Sequence, residues 1–231
     1  MWLIFDNYEI HSNTKHLGGI LMKDFRLYAI TGEEFHKGRS LVEVMEEAII
    51  GGVDIIQLRD KKSSKKVVLE KAKQLKALAE KYDIPLIIND HIDVALAVDA
   101  DGIHIGQDDL PLEEARRIVG KDKIIGISTH QIEEAREAQK NGADYIGVGP
   151  IFATKSKEDV VDPVTTKYIE EVVNEITIPF VAIGGIKLHN IEQVLNSGAT
   201  RICAISEIVG SGDVTKTCQT FIQKINERVT N

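Results

Sequence analysis

The chain has 231 residues, 43% hydrophobic and 28% charged, with a net charge of −8 and a pI near 5.4. Such an acidic, globular composition excludes general nucleic-acid binding, which needs a basic face, and leaves room for a local basic pocket. No apolar run reaches the ~18 residues of a membrane helix. Met1–Phe5 is too short for a signal peptide and is followed by Asp6 and Glu9, so the expected compartment is the cytoplasm. Cys203 and Cys218 stand outside any CxxC or Cys/His cluster. They read as a buried apolar thiol and a terminal-helix residue rather than as metal ligands or a disulfide.

Residues 1–21 show no period and are expected to form an N-terminal extension, poorly ordered or packed outside the domain, which spans 22–231. From there short Ile/Val-rich runs alternate with helical spacing. The runs read as strands are Arg26–Thr31, Ile55–Leu58, Leu86–Ile88, Gly102–His104, Ile124–Ile127, Tyr145–Val148, Phe180–Ile183 and Arg201–Ala204. Their near-continuous hydrophobicity suits parallel strands buried on both faces. The helical stretches are Leu41–Ile50, Ser64–Tyr82, Val94–Val98, Leu112–Val119, Ile132–Asn141, Thr166–Ile176, Ile191–Ser197 and Val214–Val229. Gly142 and Gly198 close two of them, and Pro85 and Pro179 stop a helix before a strand. Eight units of roughly 25 residues favour a single-domain α/β fold of the (β/α)8 TIM-barrel type over an open sheet. No G-x-G-x-x-G follows the first strand, which counts against a dinucleotide fold.

Residues just after barrel strands face the active site. After strand 2, alternation puts Gln57, Arg59 and Lys61 on one side, where two cations and an amide suit a diphosphate, while Lys62, Lys65 and Lys66 read as surface. Asn89 and Asp90 follow strand 3, and Gln107, Asp108 and Asp109 follow strand 4. Each aspartate alone would suit a helix start. Together, Asp90 and Asp109 suit one hard cation, since Mg²⁺ takes few carboxylates along with waters and substrate phosphates. After strand 5, Ser128 and Thr129 fit a helix cap and a substrate contact equally well. His130 is a candidate base, although a lone loop histidine is more often surface. The longest loop, 149–159, follows strand 6 and offers Thr154, Ser156 and Lys157 to a phosphate, with scope to close as a lid. Gly184 and Gly185 after strand 7, with Ile205 and Ser206 after strand 8, match the usual barrel phosphate site, where glycine lets the backbone approach the anion. Two anion-binding regions suit a reaction that joins a diphosphate donor to a phosphate-bearing acceptor.

Over nearly all of residues 24–225 the chain resembles the thiamine-phosphate synthase family. The resemblance lies in QLRDK (57–61), IIND (87–90), DGIHIGQDDLP (101–111), IGISTH (125–130), DYIGVGPIF (144–152) and AIGGI (182–186), and it is specific through their order and spacing. It implies a Mg²⁺-dependent transferase of thiamine biosynthesis that couples a hydroxymethylpyrimidine diphosphate to a thiazole phosphate, giving thiamine phosphate and pyrophosphate. It further implies that Gln57, Arg59, Lys61 and Asn89 hold the pyrimidine diphosphate, that Asp90 and Asp109 bind Mg²⁺, and that Ser128 and Lys157 complete the diphosphate site. Arg59, Lys61, Ser128 and Lys157 would then act on the departing group. Thr154, Lys155, Ser156, Gly185, Ile205 and Ser206 would hold the thiazole phosphate. The partners implied are these small molecules, with neither nucleic acid nor membrane, and a homo-oligomer is compatible with the sequence. Two departures stand out: Ala153-Thr154-Lys155-Ser156-Lys157 where the family usually reads P-T-x-T-K, and Glu207 beside the phosphate loop. Rival readings are a thiazole-phosphate tautomerase, a sugar-phosphate or indole-type barrel, and a non-catalytic ligand-binding barrel. The tautomerase would not need Lys61, Asp90, Asp109 or Lys157, and the sugar-phosphate barrel would not explain Asp90 with Asp109.

Overall fold

The computed structural model describes residues 25–36, 38–154 and 162–229. The expected extension at 1–21 and residues 155–159 of the strand 6 loop lie outside them. Eight parallel strands close into a barrel in chain order. They are β1 (Leu27–Ile30), β2 (Ile55–Leu58), β3 (Leu86–Asn89), β4 (Gly102–Ile105), β5 (Ile124–Thr129), β6 (Tyr145–Val148), β7 (Phe180–Ala182) and β8 (Ile202–Ala204), with β1 paired to both β2 and β8. The connecting helices are α1 (Leu41–Ile50), α2 (Lys65–Tyr82), α3 (Ile92–Ala97), α4 (Leu112–Val119), α5 (Ile132–Lys140), α6 (Thr165–Glu175) and α7 (Ile191–Asn196). A short α8 (Ser206–Val209) follows β8, and α9 (Val214–Val229) ends the chain. The sequence anticipates all of these but α8, whose single turn is too short to show a period.

The helices bury the stripes their spacing dictates. In α1 the buried set is Leu41, Val44, Met45, Ala48 and Ile49, a face of i, i+3, i+4 type. The terminal α9 buries Val214, Cys218, Phe221 and Ile225 and packs on α1, sealing the ring where its first and last units meet. Contact there is close enough that a Cβ on Gly51 would lie 2.6 Å from that of Cys218. Both cysteines are buried thiols, and burial pushes the Cys218 thiol up to about 12, which makes it unreactive.

The rim at the strand starts is held by three aspartates in equivalent loops. Asp54 accepts from the Arg26 and Leu27 amides (2.7 and 3.0 Å), Asp101 from Leu86 (3.0 Å) and Asp144 from Ile125 (2.7 Å). Each stands just before one strand and receives the first free N–H of the preceding one. Arg116 of α4 adds an ion pair to Asp144 at 2.5 Å. This is the stability face of a barrel. Replacing Asp144 by alanine strands the Ile125 amide and removes the ion-pair partner of Arg116, which keeps its bonds to the Gly120 and Lys123 carbonyls. It should cost about 1–3 kcal/mol in urea unfolding, with turnover at 25 °C within about twofold of wild type.

Candidate active site

The opposite rim opens into a cleft of about 1060 Å³ lined by strand ends. Its formation begins with parity. In β2, Ile56 and Leu58 face the helices while Gln57 points inward, so the next inward positions, Arg59 and Lys61, arrive at the mouth. Arg59 is fixed by its backbone: Thr31 at the end of β1 receives its N–H at 2.9 Å and donates to its carbonyl at 3.1 Å. Among the described residues the guanidinium makes no ion pair, which leaves its donors to the cleft.

Asp60, between the two cations, has the opposite task. Its carboxylate turns away, accepting from the Lys62 and Ser63 amides (3.0 and 2.9 Å) and pairing with Lys71 of α2 at 2.5 Å. Burial alone would raise its pKa, but the Lys71 ammonium and these donors outweigh it and hold the carboxyl well below the usual range. The loop that carries Arg59 and Lys61 is therefore anchored to a helix.

Asp90 ends β3 in a left-handed conformation, φ 60°. Its side chain does not cap α3, whose N-cap is His91. Instead Lys61 Nζ lies 3.3 Å from Asp90 Oδ2. Asp109 likewise caps nothing, since α4 starts after Pro111, and its Oδ2 bends back to the Gly106 amide at 2.7 Å. Burial first, and then the Asp109 charge, raise the Asp90 carboxyl above its ordinary range, with Lys61 partly offsetting them. Two carboxylates held together at a partly buried rim carry a charge excess that one divalent cation would relieve. Among the described residues no cluster of three or more His, Cys, Asp or Glu exists. The donor set thus fits a hard cation that completes its shell with water and substrate oxygens.

The two readings of Ser128 and Thr129 are separated by β5, which runs through both. Thr129 is fully buried and faces outward, donating to Gly147 O (3.0 Å) and accepting from the Tyr168 hydroxyl (2.7 Å). Ser128, one residue earlier, lines the cleft. Neither caps α5, whose N-cap is Gln131. His130 lines the cleft too, but its Nδ1 is engaged by the Gly149 carbonyl at 2.6 Å.

On the far side, Gly184 and Gly185 have left-handed φ of 100° and 64°. A Cβ on Gly184 would lie 2.4 Å from Pro150 Cα, and one on Gly185 2.7 Å from the Ala153 carbonyl oxygen. The pair therefore seats the start of the strand 6 loop as well as opening backbone to the cleft. Asn190 receives the Lys187 amide (2.7 Å) and donates to Gly185 O (3.0 Å), which pins this turn. Glu207 accepts from the Leu188 amide at 3.2 Å and so serves the same turn. Thr154, Ile205 and Ser206 also line the cleft; Lys155, Ser156 and Lys157 lie outside the described residues.

Of the expected site residues, Arg59, Lys61, Asn89, Asp90, Asp109, Ser128, Thr154, Gly185, Ile205 and Ser206 share this one cleft. Gln57 sits lower, 1% exposed, bounding a small cavity beneath it. Sequence reasoning passed over Tyr28, His104 and Tyr145, buried polar residues around that cavity. The signal was a lone polar or phenolic residue inside an apolar strand run, which reads as ordinary core until its neighbours are known.

The chain is similar to known proteins over most of its length. A family model described as thiamine monophosphate synthase matches residues 27–208. The chain is 79% identical to the thiamine-phosphate synthase of Halalkalibacterium halodurans over 90% of its own length and 98% of that protein's. It is 69% identical to that of Shouchella clausii, over 89% and 99%. The solved structure of thiamine phosphate pyrophosphorylase from Pyrococcus furiosus superposes with a TM-score of 0.82 at 36% identity, covering 90% of this chain and 99% of that one.

The anchored loop yields a test. A carboxyl held low by its partners adds stability that is full above its unfolded value of about 3.9 and is lost as the pH falls below it. Asp60→Asn should therefore destabilise the protein by about 1–3 kcal/mol at pH 7, and the gap should narrow without closing when urea unfolding is repeated near pH 3, since the folded carboxyl titrates well below the usual range.

Proposed function

The chain belongs to the thiamine monophosphate synthase family, and from that premise we propose how its cleft carries out the reaction and which residues take part. The reaction couples 4-amino-5-hydroxymethyl-2-methylpyrimidine diphosphate with a thiazole phosphate to give thiamine phosphate and pyrophosphate. The bond from the pyrimidine methylene to the diphosphate oxygen breaks first, its electron pair leaving with the diphosphate. The resulting pyrimidine-stabilised cation is captured by the thiazole nitrogen lone pair.

Arg59, Lys61 and Ser128 hold the diphosphate, with Asn89 beside them and Gln57 below, and Lys157 joins them from the strand 6 loop. As charge builds on the departing oxygens, the guanidinium fork and the Lys61 ammonium are already in place to balance it. Asp90 and Asp109 hold Mg²⁺, which supplies neutralisation of the diphosphate oxygens when bound. Thr154, Lys155 and Ser156, with Gly185, Ile205 and Ser206, hold the thiazole phosphate. The thiazole nitrogen is nucleophilic as it stands, so the site needs no strong base, and the engagement of His130 by Gly149 is consistent with that. Holding the two substrates face to face supplies much of the remaining rate. The observation that carries this reading is the Asp90–Asp109 pair beside Lys61 and Arg59. It is a charge arrangement with a cost to the fold, and it has a purpose once a cation and a diphosphate arrive.

Mixing both substrates with the folded protein should release pyrophosphate with Mg²⁺ and not after chelation by EDTA; folded protein that releases none with Mg²⁺ would refute the reading. Asp90→Ala and Asp109→Ala should each lower kcat/KM about 100-fold or more. Asp90→Asn, measured without metal at pH 7, should melt at or above the wild-type temperature. The raised carboxyl costs stability when charged, and the neutral amide does not pay that cost. Wild-type turnover in both alanine variants at limiting Mg²⁺ would remove the metal role.

A further inference from the structure

Beneath the cleft floor, polar side chains link into one chain. Gln57 Nε2 donates to the Tyr28 hydroxyl at 2.7 Å, and that hydroxyl meets the Tyr145 hydroxyl at 3.0 Å. Tyr145 meets His104 Nδ1 at 2.9 Å, and His104 Nε2 meets Ser128 Oγ at 2.9 Å. Register makes the link possible. Gly126 lies between His104 on β4 and Tyr145 on β6, paired with both. A Cβ there would fall 2.1 Å from Tyr145 Cζ, so only glycine lets the phenol cross the strand to the imidazole.

Proton accounting gives the chain a direction. Each phenol has one proton to donate. Tyr28 accepts from Gln57, and the bonded acceptor for its own proton is Tyr145. Tyr145 then accepts from Tyr28 and gives its proton to His104 Nδ1. An imidazole that accepts at Nδ1 carries its proton on Nε2, and that N–H is aimed at Ser128 Oγ. The Ser128 oxygen is thereby used as an acceptor, and its own proton is left for the cleft it lines. Burial, which raises both phenols well above their ordinary values, keeps each of them a donor.

We propose that His104 is a positioning residue: held as the Nε2–H tautomer by the Gln57–Tyr28–Tyr145 chain, it turns the Ser128 hydroxyl proton outward as a fixed donor to an anionic substrate oxygen. The proposal rests on the reading that a diphosphate occupies the cleft beside Ser128. The reverse polarity would need either the Gln57 amide turned over or a Tyr28 oxygen that accepts from both Gln57 and Tyr145, with its own buried proton left unbonded within the chain. It would send the Ser128 proton inward and present only oxygen lone pairs to an anion, which disfavours binding.

The experiment joins two readouts. Long-range ¹H–¹⁵N correlation on histidine-labelled protein at pH 8, with the His104 signals assigned by their loss in His104→Asn, should show the proton on Nε2. Tyr145→Phe removes the donor to Nδ1, so the tautomers should mix and kcat should fall about 10–100-fold. In a Ser128→Ala background, Tyr145→Phe should have almost no further effect on kcat, because the group it positions is gone. A proton on Nδ1 in the wild type would overturn the proposal. So would a Tyr145→Phe effect of equal size in both backgrounds, the mark of a merely structural role. Failure of folded wild type to release pyrophosphate would instead strike the functional reading, and the tautomer measurement would still decide the direction of the chain.

Discussion

Closure of the eight-stranded parallel sheet is the constraint on which everything else depends. It leaves no edge, and it forces alternate residues of each strand into an interior with room for only a few side chains. It also delivers every strand end to the same rim. Gln57, Arg59 and Lys61 become a buried amide and two cations at the mouth because they are successive inward positions of one strand and its extension. The same rule carries Ser128 inward and Thr129, its neighbour in sequence, out to Tyr168.

The two rims divide the work. At the strand starts, carboxylates are spent on backbone amides: Asp54, Asp101 and Asp144 each satisfy a strand's first donors. At the strand ends, Asp90 and Asp109 face one another and the cleft, and Asp90 is raised rather than lowered in pKa. A carboxylate that satisfies backbone donors is stabilised by the fold, whereas burial and the Asp109 charge work against the charged form of Asp90. Asp60 is the exception that holds the functional rim together, since its pair with Lys71 fixes the loop from which Arg59 and Lys61 reach the cleft.

Neighbouring strand-end loops are also mutually dependent. Gly184 and Gly185 were read from sequence as an opening for an anion, and they line the cleft. They also accommodate Pro150 and Phe152 at distances no side chain would permit, so the loops after β6 and β7 form one packed unit. Asn190 and Glu207 brace that unit from α7 and α8, and Glu207 is occupied there by the Leu188 amide.

The sequence by itself determined the barrel, its eight units, most element boundaries and the inward set at the strand ends. All of these follow from local periodicity and from the rule that loops after parallel strands share one face. Asp90 and Asp109, nineteen residues apart, were legible as a pair because adjacent strands must bring their ends together. Only the tertiary structure separated the cap and contact readings of Ser128 and Thr129, by running β5 through both and turning Ser128 to the cleft. It alone revealed that Tyr28, His104 and Tyr145 form a polar chain inside the barrel. Their meeting depends on register across Gly126 and on the closure that sets β1 near β6, and neither is encoded in the spacing of residues along a single strand.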